Sequence, residues 1–205
     1  MLKIVLASKS PRRKKLLNQI GIIFEVIPSN TEEIITKHAP TEVVTSLALQ
    51  KATDVASKVS SAFVIGADTI VVLDGAILGK PENEKDAISI LTKLSGNTHS
   101  VFTGVSFVIT NSKKEITSTH SFYEETKVRF SSLSEEEIKL YVASGSPMDK
   151  AGAYGIQDDW GSLFVEHIDG DYYNVVGFPL NRFYQELKNI EPTLLESVKI
   201  PKFST

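Results

Sequence analysis

No cysteine occurs in the 205 residues. That excludes a disulfide framework and a thiolate nucleophile, and it removes the usual zinc ligands. The histidines, at 38, 99, 120 and 167, are scattered without metal-ligand spacing and read as structural or exposed. No apolar stretch approaches the roughly 20 residues of a membrane span. The apolar run in MLKIVLASKSPRR is too short for a signal peptide, so a soluble, cytoplasmic protein is expected. Charge is nearly balanced, at −3, which gives no general attraction to nucleic acid or to an anionic membrane. Any phosphate affinity must therefore come from a local cluster of Lys and Arg. Repeats and low-complexity tracts are missing too. So are GxxxxGK(S/T), GxGxxG after a strand, and GxSxG. P-loop hydrolases, Rossmann dehydrogenases and serine esterases are disfavoured accordingly.

What is present is an ordinary globular composition, 41% hydrophobic and 23% charged. The length suits one large α/β domain or two joined lobes. Lys3 to Ala7 reads as a buried strand. Ser10 before Pro11 is a helix start signal, and Leu16, Leu17 and Ile20 continue the helix until Gly21. Ile22 to Ile27 reads as a second strand, and residues 28–38 as a polar loop. A long helix is predicted over Pro40 to Val59, then a central strand over Phe63 to Leu73. Asp74-Gly75 is a hairpin signal that pairs Ala76 to Leu78 back. A helix over Glu84 to Leu94 precedes long strands over Thr98 to Thr110 and Ile116 to Phe130. Ser134 with Glu137 forms a capping box for a helix reaching Ser144. Residues 145–161 read as a functional loop. Leu163 to Ile168 and Tyr172 to Val176 flank a turn at Asp169-Gly170-Asp171, and Pro179 to Lys188 is the last clear helix. The remainder, from Ile190, reads as an extended or frayed tail. The fold class is α/β.

Four places can carry chemistry. In LASKSPRR, residues 6–13, a strand feeds a helix N-terminus whose unpaired N–H groups favour an anion. Arg12 and Arg13 oppose the helix dipole there, which an anionic ligand would explain. A solvated basic helix start is the plainer alternative. Asp68 interrupts the apolar run FVIGADTIVVL, where a carboxylate is costly unless paired or metal-bound. Gly66 and Ala67 leave room beside it for a ligand. It is the best single candidate for a metal ligand or general base; a strand-end Asp capping a turn is the alternative. Glu32 and Glu33 lie in the polar loop, Lys51 in the long helix, and Lys80 between Gly79 and Pro81 in a rigid turn. Finally, DKAGAYGIQ, residues 149–157, has glycines that permit close approach, and Gln157 can pair with a base edge through its amide. A glycine-rich connection without ligand is the alternative there.

Together these segments resemble the Maf family of nucleoside triphosphate pyrophosphatases, also labelled septum formation inhibitors. The matching pieces are LASKSPRRKKLL at 6–17, the Glu32-Glu33 pair, Lys51, GADTIVVLDGAILGKP at 66–81, HSVFTGV at 99–105, DKAGAYGIQ at 149–157 and GDYYNVVGFPL at 170–180. They run in family order from residue 3 to about 188, which suggests one Maf-like domain over 1–190 and a tail over 191–205. The resemblance implies a fold like that of the inosine triphosphate pyrophosphatases, a long curved mixed sheet in two lobes around a cleft. It implies cleavage between the α- and β-phosphates with a divalent cation, Mg2+ or Mn2+, and a homodimer. It places the metal on Glu33 and Asp68, with Asp68 also catalytic. Ser10, Arg12, Arg13, Lys51 and Lys80 are then expected on the phosphates, and Thr69 and Gln157 on the base. Thr69, Gln157 and the Arg12-Arg13 pair match the subgroup acting on dTTP and UTP. A pyrophosphatase for ITP, 7-methyl-GTP or another non-canonical nucleotide, and a nucleotide-binding regulator of cell division, are the competing readings.

Overall fold

Lys3–Leu6 forms β1 and Pro11–Gln19 forms α1 in the computed structural model, which describes residues 2–157 and 159–197. The elements that follow are β2 (Glu25–Val26), α2 (Pro40–Ala56), β3 (Ala62–Leu73), β4 (Ala76–Leu78), α3 (Glu84–Leu94), β5 (Thr98–Thr110) and β6 (Ile116–Phe130). Then come α4 (Glu135–Ala143), β7 (Val165–Asp169), α5 (Tyr172–Val176) and α6 (Leu180–Ile190). The strands pair in the order β2-β1-β3-β5-β6-β7, with β4 against β3. The sheet is mixed. β1 runs parallel to β2 and β3, whereas β3/β4 and β6/β7 are antiparallel. The fold is thus the α/β mixed sheet expected from the alternating pattern.

The chain divides into two compact units. The first comprises Met1–Asp68, Thr103–Tyr123 and Gly177–Thr205. Its core joins β1, α2, β3 and β5 through Val5, Val55, Ala56, Val64 and Val108. Each of these valines contributes about 1.5–3 kcal/mol by leaving water. Two glycines fix how closely α2 lies on the sheet. A Cβ on Gly66 would sit 2.2 Å from the Ala48 carbonyl oxygen, and one on Gly104 would sit 2.3 Å from that of Val44. Only glycine permits this backbone-to-backbone approach.

The second unit comprises Thr69–Phe102 and Glu124–Val176. Here α3 packs on α4, burying Ala87, Ile90, Leu91 and Leu94 from one and Ile138, Tyr141 and Val142 from the other. The predicted capping box starts α4: the Ser134 N–H donates to Glu137 Oε2 at 2.7 Å, and the Glu137 N–H donates to Ser134 Oγ at 3.2 Å.

Four sequence expectations need correction. The second strand is only two residues long, because it pairs on one side with the short β1 while Ile23 is exposed. The long helix ends at Ala56 rather than Val59, closing on a turn from the Val59 N–H to the Ala56 carbonyl at 3.3 Å. Tyr172–Val176 is a helix, started by Asp171, whose Oδ1 accepts the Tyr173 N–H at 2.7 Å. And the tail from Ile190 is ordered where it is described. Pro192–Ser197 forms a 3-10 helix with Leu194 only 1% exposed, so an apolar anchor replaces the expected frayed arm. The rest of that tail, 198–205, lies outside the described residues, as does position 158 of the loop over 145–161.

Candidate active site

In the first unit, Ser10 caps α1, its hydroxyl accepting the Arg13 N–H at 3.5 Å, and Pro11 occupies the first turn. Upstream, Ser8 Oγ accepts the Ser10 N–H at 3.2 Å and Arg13 Nη1–H at 3.3 Å. Arg13 also donates from Nη1 to the Ala67 carbonyl at 2.8 Å and from Nε to the Gly177 carbonyl at 2.9 Å. Its half-buried guanidinium therefore ties the α1 turn to the residue just before Asp68. Burial pulls Arg13 below its ordinary value; Asp68 and Glu33 push back upward, and Arg12 adds like-charge repulsion.

Asp68 is 8% exposed, within β3. Lys51 reaches it from α2, donating from Nζ to Asp68 Oδ1 at 2.5 Å, and the same ammonium lies 2.8 Å from Glu33 Oε1. The carboxylate in the apolar strand is therefore paired, as its burial requires. Gly66, two positions before Asp68, contributes by letting α2 come this close. The space that the glycine leaves is filled by the helix, not by a ligand as the sequence suggested.

Glu33 is presented by a loop with no regular structure, and α2 also holds that loop in place. Gln50 clamps Ile34 through both amide atoms, accepting its N–H at 3.0 Å and donating to its carbonyl at 2.9 Å. One turn further on, Asp54 Oδ2 accepts from Ser29 Oγ at 2.9 Å and from the Asn30 N–H at 3.2 Å. Gln50 and Asp54 were missed by the sequence reading. Their only signal was polarity at positions flanking Lys51 on a helix with an otherwise apolar face. Among the described residues, no group of three or more Asp, Glu or His comes together; the convergence is of two carboxylates on one cation.

Three other predicted residues belong to the second unit. Thr69 is half-buried, follows Asp68 in β3, and faces the opposite side of the strand. Lys80 is exposed just after β4. Gln157 is exposed at the end of the glycine-rich loop. That loop folds as a 3-10 turn over Ser146–Asp149 followed by a left-handed kink at Gly152 and Ala153. The Gly152 N–H donates to the Gly79 carbonyl at 3.0 Å, so the segment carrying Gln157 is tied to the one carrying Lys80. Gly152 has φ +70°, and a Cβ there would lie 2.7 Å from Val71 Cγ2. Lys150, buried in the same loop, donates to the Ser146 carbonyl at 2.5 Å and to Asp149 Oδ1 at 2.8 Å, which marks it as structural.

A family model described as Maf-like protein matches residues 3–190. The chain belongs to the Maf-like family. Every residue of the two clusters lies within that match. This Maf-like protein is 53% identical, over 196 residues, to a protein named dTTP/UTP pyrophosphatase from Bacillus cereus (strain AH820), covering 94% of this chain and 99% of the relative. It is 54% identical over 192 residues to the protein of the same name from Bacillus mycoides (strain KBAB4), covering 93% and 97%. Among solved structures, a HAM1 protein from Coxiella burnetii aligns over 63% of this chain and 73% of its own, with TM-score 0.45 and 16% identity.

Proposed function

We infer that this Maf-like protein is a nucleoside triphosphate pyrophosphatase that hydrolyses dTTP and UTP to the monophosphate and pyrophosphate. The observation that carries this reading is the buried Asp68, held with Glu33 on the Lys51 ammonium, in a chain more than half identical to proteins named for that activity. The Glu33 and Asp68 carboxylates converge on one cation, the Lys51 ammonium, and such hard oxygen donors suit Mg2+ or Mn2+, which would take that ammonium's place. Glu33 and Asp68 would hold such an ion beside triphosphate oxygens. When bound, it supplies Lewis-acid polarisation of the phosphates.

The protein's own groups divide the remaining work. Asp68 orients the attacking water and accepts its proton as the oxygen bonds to the α-phosphorus. The bond from that phosphorus to the bridging oxygen breaks, and the electron pair leaves with pyrophosphate. Ser10 and the α1 N-terminus, with Arg12, Arg13, Lys51 and Lys80, offset charge on the phosphates. Arg13 additionally fixes the backbone beside Asp68 through Ala67. Thr69 and Gln157 read the base, the Gln amide offering the donor and acceptor that a uracil or thymine edge complements.

We further propose a cytoplasmic homodimer acting on free nucleotides rather than on nucleic acid. The near-balanced charge supports free nucleotides over nucleic acid as the substrate; no helix among the described residues is long and apolar enough to cross a membrane. The deciding test is Asp68→Asn, assayed for pyrophosphate release from UTP and dTTP with Mg2+. A loss of about 10²–10⁴-fold is expected for removal of a general base. Near-normal turnover overturns the role of Asp68, and a wild-type preference for ITP or 7-methyl-GTP overturns the assigned substrates.

A further inference from the structure

The glycine-rich loop of the second unit is held more rigidly than a surface connection requires. Lys150 anchors its start, and the Gly152 N–H binds the Gly79 carbonyl. Next, Ala153 is fully buried with φ +59°, a left-handed conformation that a non-glycine residue adopts only when its surroundings impose it. Tyr154 is buried beside it, its hydroxyl 2.8 Å from His99 Nε2. Then the Gly155 N–H donates to the Tyr141 hydroxyl at 3.2 Å. Ile156 is still buried, and Gln157 emerges into solvent. The last fixed points before Gln157 are therefore two tyrosine hydroxyls, gripping consecutive residues.

We propose that His99 and Tyr154 are positioning residues for base recognition: their buried hydrogen bond sets the backbone that presents Gln157 and so sets the discrimination among bases. The proposal rests on the reading that Gln157 meets the base. Its main support is that the pair is a poor choice for stability alone. The rings of His99, Phe130 and Tyr154 pack edge-to-face, at 4.7 to 5.4 Å between centroids, so apolar rings would serve that packing. Instead two polar groups are buried, and His99 Nδ1 has no hydrogen-bond partner among the described residues. A directional bond is what these groups add. Burial also holds His99 down to about 4, so the imidazole stays neutral and the bond keeps one form across the neutral range.

The test compares the full-length wild type with Tyr154→Phe, which keeps the ring and removes the hydroxyl. Pyrophosphate release is measured for UTP, dTTP and CTP, beside a thermal melt. The expected result is a KM for UTP raised 5- to 20-fold, kcat within about threefold, and a UTP-over-CTP preference in kcat/KM reduced at least tenfold. A purely structural pair would lower the melting temperature and leave that preference intact, and this result overturns the proposal. Should Tyr154→Phe fail to fold, Ala153→Gly decides. It relieves the left-handed strain and loosens the same backbone, so base preference should fall while melting temperature does not; unchanged preference overturns the proposal. A wild type that releases no pyrophosphate from UTP or dTTP overturns the function itself. An active wild type with unaltered variants overturns only the role of the pair.

Discussion

The Arg13 guanidinium stands on two backbone carbonyls, Ala67 and Gly177, and on the Ser8 hydroxyl. Its planar fork meets these oxygens from Nε and Nη1 at once, which a lysine ammonium on a flexible stem does not reproduce. Arg13→Lys keeps the charge near the phosphates and discards the fork. It should cost about 1.5–3 kcal/mol, the value of hydrogen bonds made by a charged group. Urea unfolding would read this as a lower midpoint at unchanged slope. Turnover should fall as well, since the strand residue before Asp68 loses its tie. If charge alone mattered, both readings would stay at the wild-type value. The sequence disclosed Arg13 as a cation because a basic first turn opposes the helix dipole. It did not disclose the carbonyl partners, which come from 54 and 164 residues away. Asp68 was legible for the opposite reason: a carboxylate inside an apolar strand announces its cost locally.

Helix α2 carries three site functions on one surface, with Gln50 and Asp54 holding the Glu33 loop and Lys51 joining Glu33 to Asp68. All three depend on how closely it lies on β3, and Gly66 sets that distance. Gly66→Ala places a methyl against the Ala48 carbonyl, which is backbone and cannot swing aside. We expect a loss of about 3 kcal/mol from overpacking. In a chain of this size that lowers the thermal midpoint by about 6–12 °C. Pyrophosphate release should drop even well below the new midpoint, because displacing α2 separates Lys51 from Asp68. A variant melting normally with normal turnover would contradict this account. Long elements such as β5, β6 and α3 were readable from periodicity alone, with their ends matching the expected positions. Two short ones were not: β2 and α5 are set by a partner strand and by the Asp171 cap, and neither leaves a periodic trace in so few residues, whereas the likewise short β4 was announced by its Asp74-Gly75 turn.

The boundary of the folded chain lies beyond the boundary of the family match. The match ends at residue 190, and the sequence pattern also placed 191–205 outside the domain. Yet Leu194 is buried, and Leu195 lines an apolar cavity of about 300 Å³ with Ile20, Ile22, Leu180, Phe183, Tyr184 and Leu187. Leucines on a 3-10 turn of six residues show no helical period, so only the folded chain reveals that they are anchors. A chain ending at Ile190 exposes the apolar surface that Leu194 covers. One buried leucine contributes about 1.5–3 kcal/mol, and loss of the partly covered Leu195 adds to it. The thermal midpoint should fall by at least about 3–6 °C. No proposed catalytic, metal or base-reading residue lies after 190, so kcat/KM for UTP at 25 °C should match that of the full chain. These two readings separate the possibilities. An unchanged midpoint would mean that the segment adds no stability, as the extended or frayed tail read from the sequence would. A reduced kcat/KM in a truncated protein that is still fully folded would mean that it reaches the chemistry, a role that the packing of this segment on α6 does not predict.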